Sequence, residues 1–312
     1  MDKEVYIIAA KRTATGGYLG TLSNKSATEL GAMVIQDILN TTTIDPNDID
    51  EVILGNVLSA NLGQSPARQA AIHAGIPYTA DATTVNKVCS SGIKSVSYAA
   101  QSIMLGNSNL VVAGGMESMS NTPYYIENHR QGKKAGHETI VDGMIKDGLW
   151  DPYHDFHMGN AAEMANEKYG ISREEQDAYA LSSYHKAEKA TASGFFKNEI
   201  TPITIQSRKG DFIFDQDEDI NKLNPEKISQ LRPIFEKEGS ITAANASNLN
   251  DGAAILLLAS KKYIDANNIK PIAKIIAFSD AAQAPEWFTT SPSLAVNKLF
   301  EKTDIKIDEI DF

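Results

Sequence analysis

Cys89 is the only cysteine in the 312-residue chain, and its neighbours are those a reactive thiol needs. It lies in Val85-Asn86-Lys87-Val88-Cys89-Ser90-Ser91-Gly92, between a β-branched stretch and a run at helical spacing that stops at Gly106. A thiol at a helix N-terminus meets unpaired N–H groups and the positive end of the macrodipole, and both favour thiolate. The Cys89 N–H would point to where the oxyanion of an attacked carbonyl forms. Small Ser90, Ser91 and Gly92 leave room for a ligand. The chemistry this suits is acyl transfer through a thioester. Residue type alone also fits an inert core cysteine; the strand-to-helix turn and its small neighbours favour the reactive reading.

Two other patterns could do chemistry. His154-Xaa-Xaa-His157 has the spacing of a metal pair, but no cysteine or carboxylate stands nearby at an obvious ligand spacing. Gly114-Gly115 is a poor phosphate loop and reads better as room for close backbone approach beside the cysteine.

The elements that must position these residues alternate along the chain. Val5–Ala10, Val52–Leu54, Thr83–Val85 and Leu110–Ala113 read as buried strands. Between them, Ser26-Ala27-Thr28-Glu29 forms a capping box ahead of a helix to Asn40, and Ala67–Gly75 and Gly92–Leu105 read as further helices. Such alternation implies a parallel sheet with helices on both faces. From Met119 to Thr242 the rhythm breaks, leaving one clear helix, Ser172–Ser193, opened by the box Ser172-Arg173-Glu174-Glu175. This stretch reads as an inserted lobe, after which a strand returns at Ala253–Leu258. Ile272–Phe278 reads as a strand followed by a helix. Ile305-Lys306-Ile307-Asp308-Glu309-Ile310-Asp311-Phe312 then lies without gaps on Ile44-Asp45-Pro46-Asn47-Asp48-Ile49-Asp50-Glu51. The same offset lays Leu294, Ala295, Val296, Leu299 and Phe300 on Met33, Val34, Ile35, Ile38 and Leu39. Chance likeness of two amphipathic segments is one account; a duplicated α/β half is the preferred one.

Composition narrows the function classes. Apolar residues make up 42% and charged residues 22%, an ordinary soluble balance. With 29 Lys plus Arg against 40 Asp plus Glu, the net charge is −11, which speaks against a nucleic-acid partner. One cysteine permits no internal disulfide. No apolar run reaches membrane-span length, and Met1-Asp2-Lys3-Glu4-Val5-Tyr6-Ile7-Ile8 lacks the layout of a signal or transit peptide. A soluble, cytoplasmic protein with no membrane partner is expected.

The longer motifs carry a resemblance. Asn86-Lys87-Val88-Cys89-Ser90-Ser91-Gly92, Val111-Val112-Ala113-Gly114-Gly115-Met116-Glu117-Ser118-Met119-Ser120 and Asn245-Ala246-Ser247-Asn248-Leu249-Asn250-Asp251-Gly252-Ala253 resemble the signatures of the thiolase family. Ala10-Lys11-Arg12-Thr13 and His157-Met158-Gly159 fit as well, in order over the whole chain. The resemblance implies an α/β thiolase fold, layered α-β-α-β-α, of two duplicated halves with an inserted loop lobe. The divisions would be 1–118 plus 246–268, a lobe at 119–245, and 269–312 as the start of an incomplete second half. It implies that Cys89 takes an acyl group from one acyl-CoA, which a second then displaces by Claisen condensation. Ala243-Ala244-Asn245-Ala246-Ser247 and Ile275-Ile276-Ala277-Phe278-Ser279-Asp280-Ala281-Ala282 are most similar to the short-chain, acetoacetyl-CoA type, with acetyl-CoA and acetoacetyl-CoA as substrates and a homo-oligomeric dimer of dimers as assembly.

By the same resemblance, His157 and Met158 line the pantetheine tunnel, Leu149, Phe235 and Ala243 add to the substrate site, and Ser247 hydrogen-bonds the pantetheine arm. Core packing accounts equally for Leu149 and Phe235, and a turn or cap for Ser247. No cofactor is implied beyond the coenzyme A thioester, except a potassium ion held by Tyr184 and the carbonyls of Ala243, Ala244 and Ala246; Tyr184 fits a packing role equally. The family also carries an Asn-Glu-Ala-Phe segment, a Gly-His-Pro segment and a second cysteine, none of them present here. The chain is therefore expected to be truncated at its C-terminus and inactive in condensation. Two other readings stay open: a ketoacyl synthase, against which Met116-Glu117-Ser118-Met119 speaks, and a non-catalytic acyl-CoA-binding remnant.

Overall fold

All five expected strands lie in one sheet. The computed structural model describes residues 4–311. Met1–Lys3 of the N-terminal reading and Phe312, the last residue of the internal echo, lie outside the described residues. In chain order the elements are β1 (Val5–Thr13), β2 (Gly16–Gly17), α1 (Ala27–Thr41), β3 (Glu51–Gly55), α2 (Pro66–His73), β4 (Asp81–Val85), α3 (Ser91–Leu105) and β5 (Leu110–Ser118). There follow β6 (Tyr124–Ile126), β7 (Ile140–Asp142), β8 (Trp150–Asp151), β9 (Phe156–His157), α4 (Met158–Tyr169) and α5 (Arg173–Ala192). The rest are β10 (Ile200–Thr201), β11 (Ile203–Ile205), β12 (Phe212–Phe214), β13 (Asn250–Ser260), α6 (Lys261–Ala266), β14 (Ala273–Ile275) and α7 (Ser291–Lys302). One unit takes the residues up to Gly148 with Tyr184–Leu223 and Asn248–Lys274; the other takes Leu149–Ser183, Asn224–Ser247 and the residues from Ile275 on.

In the first unit the sheet runs β10-β1-β13-β5-β3-β4. The parallel order expected from the first 120 residues holds for β1, β3, β4 and β5, and β13 alone of the five expected strands departs from it. β13 runs antiparallel to both β1 and β5, while β5, β3 and β4 are mutually parallel. The cause is the route of the chain: β13 enters from the loops of residues 119–249, at the end where Asn250 and Asp251 pair with Gly17 and Gly16.

The two-residue period of the strands sorts their side chains onto two faces. Val52, Leu54, Leu110, Val112, Ile255 and Leu257 form one buried cluster with Leu30, Val34, Ile35 and Ile38 of α1 and Ala67, Ala70 and Ala71 of α2. Ile53, Val111 and Ala113, which alternate with these, are buried on the other face, where α3 contacts β3 and β5. The start of α1 is fixed by the expected capping box, with Ser26 Oγ accepting the Glu29 N–H and Glu29 reaching back to Ser26 N. Ser172 and Glu175 do the same ahead of α5. Arg12 of the Ala-Lys-Arg-Thr motif has a structural role: it pairs with both oxygens of Asp217 and with Glu199.

The Ile272–Phe278 strand shrinks to β14, which joins the first sheet through β1. β10 covers the edge of β1 at Arg12 and Thr13, and the earlier part stays open, so the Ile272 N–H reaches the Ile7 carbonyl at 2.8 Å. The internal echo persists in local structure. α1 and α7 end at Thr41 and Lys302, and 3₁₀ turns follow at Pro46–Asp48 and Ile307–Glu309, both in the register that lays Ile305 on Ile44.

The second unit contains the β8–β9 hairpin, α4 and α7. α4 was not expected from the sequence. Its first turn holds Gly159 and Asn160, poor helix formers, without a strong apolar period, and His157 caps it with Nδ1 accepting the Gly159 N–H at 2.9 Å.

Candidate active site

Cys89 stands on the connection between β4 and α3. The helix begins at Ser91 with Ser90 as its N-cap, so Cys89 lies just outside the first turn rather than within it. It is also exposed, not recessed at the base of a pocket, because it follows the edge strand of the sheet and the tight turn lifts it clear of the core. Val88 carries a left-handed backbone, φ 49°, a region that β-branched residues avoid. Ser91 clamps this turn. Its Oγ accepts the Lys87 N–H at 2.8 Å and donates to the Val88 carbonyl at 2.5 Å.

Glycines let the turn sit directly on the sheet. A Cβ on Gly55, the last residue of β3, would come within 2.5 Å of the Ser91 carbonyl carbon and 2.6 Å of the Gly92 nitrogen. One on Gly115 would lie 3.3 Å from the Gly92 Cα, and one on Gly114 would lie 2.1 Å from the Ala254 carbonyl oxygen of β13. The Gly-Gly pair therefore serves close backbone approach, as its sequence suggested. Beside it, Ser95 Oγ donates to the Gly114 carbonyl and accepts the Gly114 N–H.

Sequence reasoning gave Glu117 no role, although it stood inside a quoted motif. Its carboxylate accepts the N–H groups of Val57 at 2.9 Å and Leu58 at 3.2 Å and the Asn56 side-chain amide at 2.8 Å. Burial, with the charge of Asp251 adding to it, raises its pKa against the pull of those hydrogen bonds. The signal that could have found it is a carboxylate in an otherwise apolar strand.

The remaining candidates lie in the second unit, with the exception of Tyr184, half-buried on α5 and belonging to the first. Leu149, Met158 and Phe235 are half-buried, and Ala243 and Ser247 are exposed. The structure brings His157 and Phe235 together, their rings stacked at 4.8 Å. Phe235 also presses on Gly159, where a Cβ would come within 2.3 Å of its ring. Burial lowers the pKa of His157. With Nδ1 accepting from Gly159, its neutral ring carries the proton on Nε2, a donor free for a ligand. His154 is engaged elsewhere: Nδ1 meets Asp151 at 2.9 Å and Nε2 lies 3.8 Å from Glu286. The hydrogen bond to Asp151 raises its pKa above the usual range. The two histidines thus take separate partners instead of forming a metal pair, and no group of three or more His, Cys, Asp or Glu among the described residues could hold a metal ion.

Ala243, Ala244 and Ala246 sit in a turn tied at both ends. Thr242 N–H donates to Asn245 Oδ1 at 2.7 Å and the Ala246 N–H to the Thr242 carbonyl at 2.9 Å. Asn245 in turn donates to Asp177 of α5 at 2.8 Å. Buried Glu163 of α4 takes the N–H groups of Ser240 and Ile241. None of these anchors was singled out from sequence.

A profile described as the thiolase N-terminal domain matches residues 5–262. The chain belongs to the thiolase family. Acetyl-CoA acetyltransferase 1 of Arabidopsis thaliana is 47% identical over 313 residues, covering 99% of this chain and 75% of that one. Among solved structures, the Bacillus anthracis acetyl-CoA acetyltransferase superposes with a TM-score of 0.96 at 39% identity, over 100% of this chain and 79% of the other. An Ascaris suum thiolase in complex with coenzyme A gives 0.93 at 40% identity, over 98% and 79%. The α/β thiolase fold read from the motifs is therefore the fold of this thiolase, and the ketoacyl-synthase alternative falls. No helix among the described residues is long and apolar enough to cross a membrane.

Proposed function

We propose that this thiolase is an acetyl-CoA acetyltransferase that carries the acetyl group on Cys89. The observation that carries the reading is the placement of its sole cysteine, exposed on a strained strand-to-helix turn at the head of α3, in a chain so similar to acetyl-CoA acetyltransferases. The thiolate attacks the thioester carbonyl of acetyl-CoA, the carbonyl π pair moves to oxygen, and coenzyme A leaves as thiolate when the tetrahedral intermediate collapses. A second acetyl-CoA, after loss of an α-proton, displaces Cys89 and yields acetoacetyl-CoA; thiolysis is the reverse.

His157, Met158, Leu149 and Phe235 are proposed to receive the pantetheine arm with Ala243, and Ser247 to hydrogen-bond it. The stacked His157–Phe235 pair and the proton on Nε2 support this. A potassium ion is proposed on the carbonyls of Ala243, Ala244 and Ala246, since oxygen donors in a constrained turn suit a hard cation. Its contribution would be to stiffen that turn. A polypeptide of these 312 residues has one cysteine, so it offers no second thiol to move the α-proton, and it is proposed to pass acetyl to and from coenzyme A without carrying out the condensation. Assembly into homo-oligomers is proposed from the edge position of β4 and the exposed Ile93 and Leu105 of α3. A cytoplasmic location is proposed from the composition.

The test is mass analysis after mixing with acetyl-CoA. Acetylation confined to the peptide bearing Cys89, and lost in Cys89→Ala, is the expected result. Acetylation elsewhere, or none in the wild-type chain, overturns the reading.

A further inference from the structure

The left-handed Val88 is held from one side by Ser91 and from the other by Asn86, whose Oδ1 accepts the Val88 N–H at 3.0 Å. Asn86 is itself anchored, for its Nδ2 lies 3.5 Å from the Val57 carbonyl, the longest contact in the series. Val57 belongs to the loop whose N–H groups converge on Glu117. The same loop is tied to β4 through the Asn56 N–H, which donates to the Val85 carbonyl at 3.0 Å. A continuous series of contacts thus runs from the Glu117 carboxylate to the residue next to Cys89.

We infer that Glu117 is a positioning residue for Cys89: through the Asn56–Leu58 loop and Asn86, its carboxylate fixes the strained turn that aims the thiol. A left-handed β-branched residue costs free energy and persists where its surroundings impose it. A carboxylate suits the task because both oxygens accept, and here three N–H donors are to be met. A glutamine would turn an amide N–H₂ towards one of them. Protonation has a similar effect, turning one oxygen into an O–H donor. The charged group facing Glu117 from the neighbouring strand is Asp251 of β13; Asn56, Val57 and Leu58 carry no titratable group. Burial, with a smaller contribution from the Asp251 charge, outweighs the hydrogen bonds from Val57 and Leu58 and makes Glu117 take up its proton at a higher pH than an ordinary glutamate.

The inference rests on Cys89 as acyl carrier, and the experiment separates the two. Cys89 is the only thiol, so iodoacetamide labelling reads how it is presented with no coenzyme A present. Glu117→Gln is expected to label about tenfold more slowly near neutral pH, the size of losing one hydrogen bond to a charged group. The wild-type-to-variant ratio is expected to fall towards one on acidification. Asn86→Asp keeps the oxygen that accepts the Val88 N–H but loses the Nδ2 contact with the Val57 carbonyl, so it is expected to label at a rate between those of wild type and Asn86→Ala, which loses both contacts. Asn86 is exposed, so this pair remains informative if Glu117→Gln unfolds. A ratio near one at neutral pH, a ratio that ignores pH, or wild-type labelling of Asn86→Ala overturns the inference. The expected ratios in a chain that acetyl-CoA does not label would support the positioning and overturn the acyl-carrier reading.

Discussion

Gly55→Ala tests the packing beneath the cysteine turn most sharply. The new methyl would lie 2.5 Å from the Ser91 carbonyl carbon, where ordinary contact begins at 3.4 Å. The head of α3 must then move by about 0.9 Å, the difference of those two distances. The clash is with backbone, so no side-chain rotation relieves it, and overpacking of this kind costs about 1–3 kcal/mol. A displacement of roughly 1 Å at a reacting group typically costs on the order of 10²-fold in rate. Gly92→Ala is the control, because its Cβ would meet nothing closer than 3.8 Å and alanine is the better helix former. Denaturant unfolding and the rate of Cys89 acetylation are measured for both. The expected outcome is a Gly55→Ala variant that is less stable and about a hundredfold slower, beside a Gly92→Ala variant at least as stable as wild type. Wild-type stability and rate in Gly55→Ala would refute the claim that the turn rests on β3.

Asp151→Asn is expected to lower the pKa of His154 towards its ordinary value, read by NMR titration, since the hydrogen bond to Asp151 is the largest cause of its rise. A raised His pKa contributes stability that is full below the unfolded pKa and fades as pH rises through the folded one. The wild-type stability advantage over Asp151→Asn should therefore shrink on passing above neutrality; an advantage that grows there contradicts the pairing. Asp217→Ala strands the Thr15 N–H, which Asp217 accepts at 2.7 Å, and leaves Arg12 with Glu199 as its one carboxylate; it is expected to cost about 1–3 kcal/mol in denaturant unfolding, and no change would show that the Arg12–Asp217 pair is idle. Gly159→Ala drives a methyl into the Phe235 ring and is expected to weaken coenzyme A binding about tenfold by calorimetry, as a pocket wall that must shift by a methyl group's size would. Unaltered binding would remove the His157–Phe235 stack from the pantetheine site.

The strands were legible because burial on both faces leaves a short unbroken apolar run, and Val5–Ala10 and Ala253–Leu258 carry it plainly. Both capping boxes were legible for a similar reason: serine and glutamate three apart satisfy each other locally. Direction was not. Nothing in Ala253–Leu258 says which way it runs, since an apolar strand buried on both sides reads alike in either sense. α4 was missed because its cap is a histidine and its first turn holds Gly159 and Asn160, so tertiary packing overrides propensity there. Cys89 was found from its turn, but its exposure was not, because accessibility depends on which strand ends the sheet. Glu117 and Asn86 stood inside a recognised motif, yet their roles are hydrogen bonds to backbone groups far apart in sequence, which residue spacing does not reveal. Ile272–Phe278 has a strand's composition, but strand length is set by the partner available, and β1 had part of one edge to offer.

The central claim is that acetyl passes reversibly between coenzyme A and Cys89. Isotope exchange between tritiated coenzyme A and unlabelled acetyl-CoA tests it most directly, because exchange requires the acetyl-enzyme to form and to return its acetyl group, and requires no α-proton chemistry. The 312-residue chain should catalyse the exchange with no net formation of acetoacetyl-CoA, and Cys89→Ala should abolish it. Exchange that survives in Cys89→Ala would contradict the account.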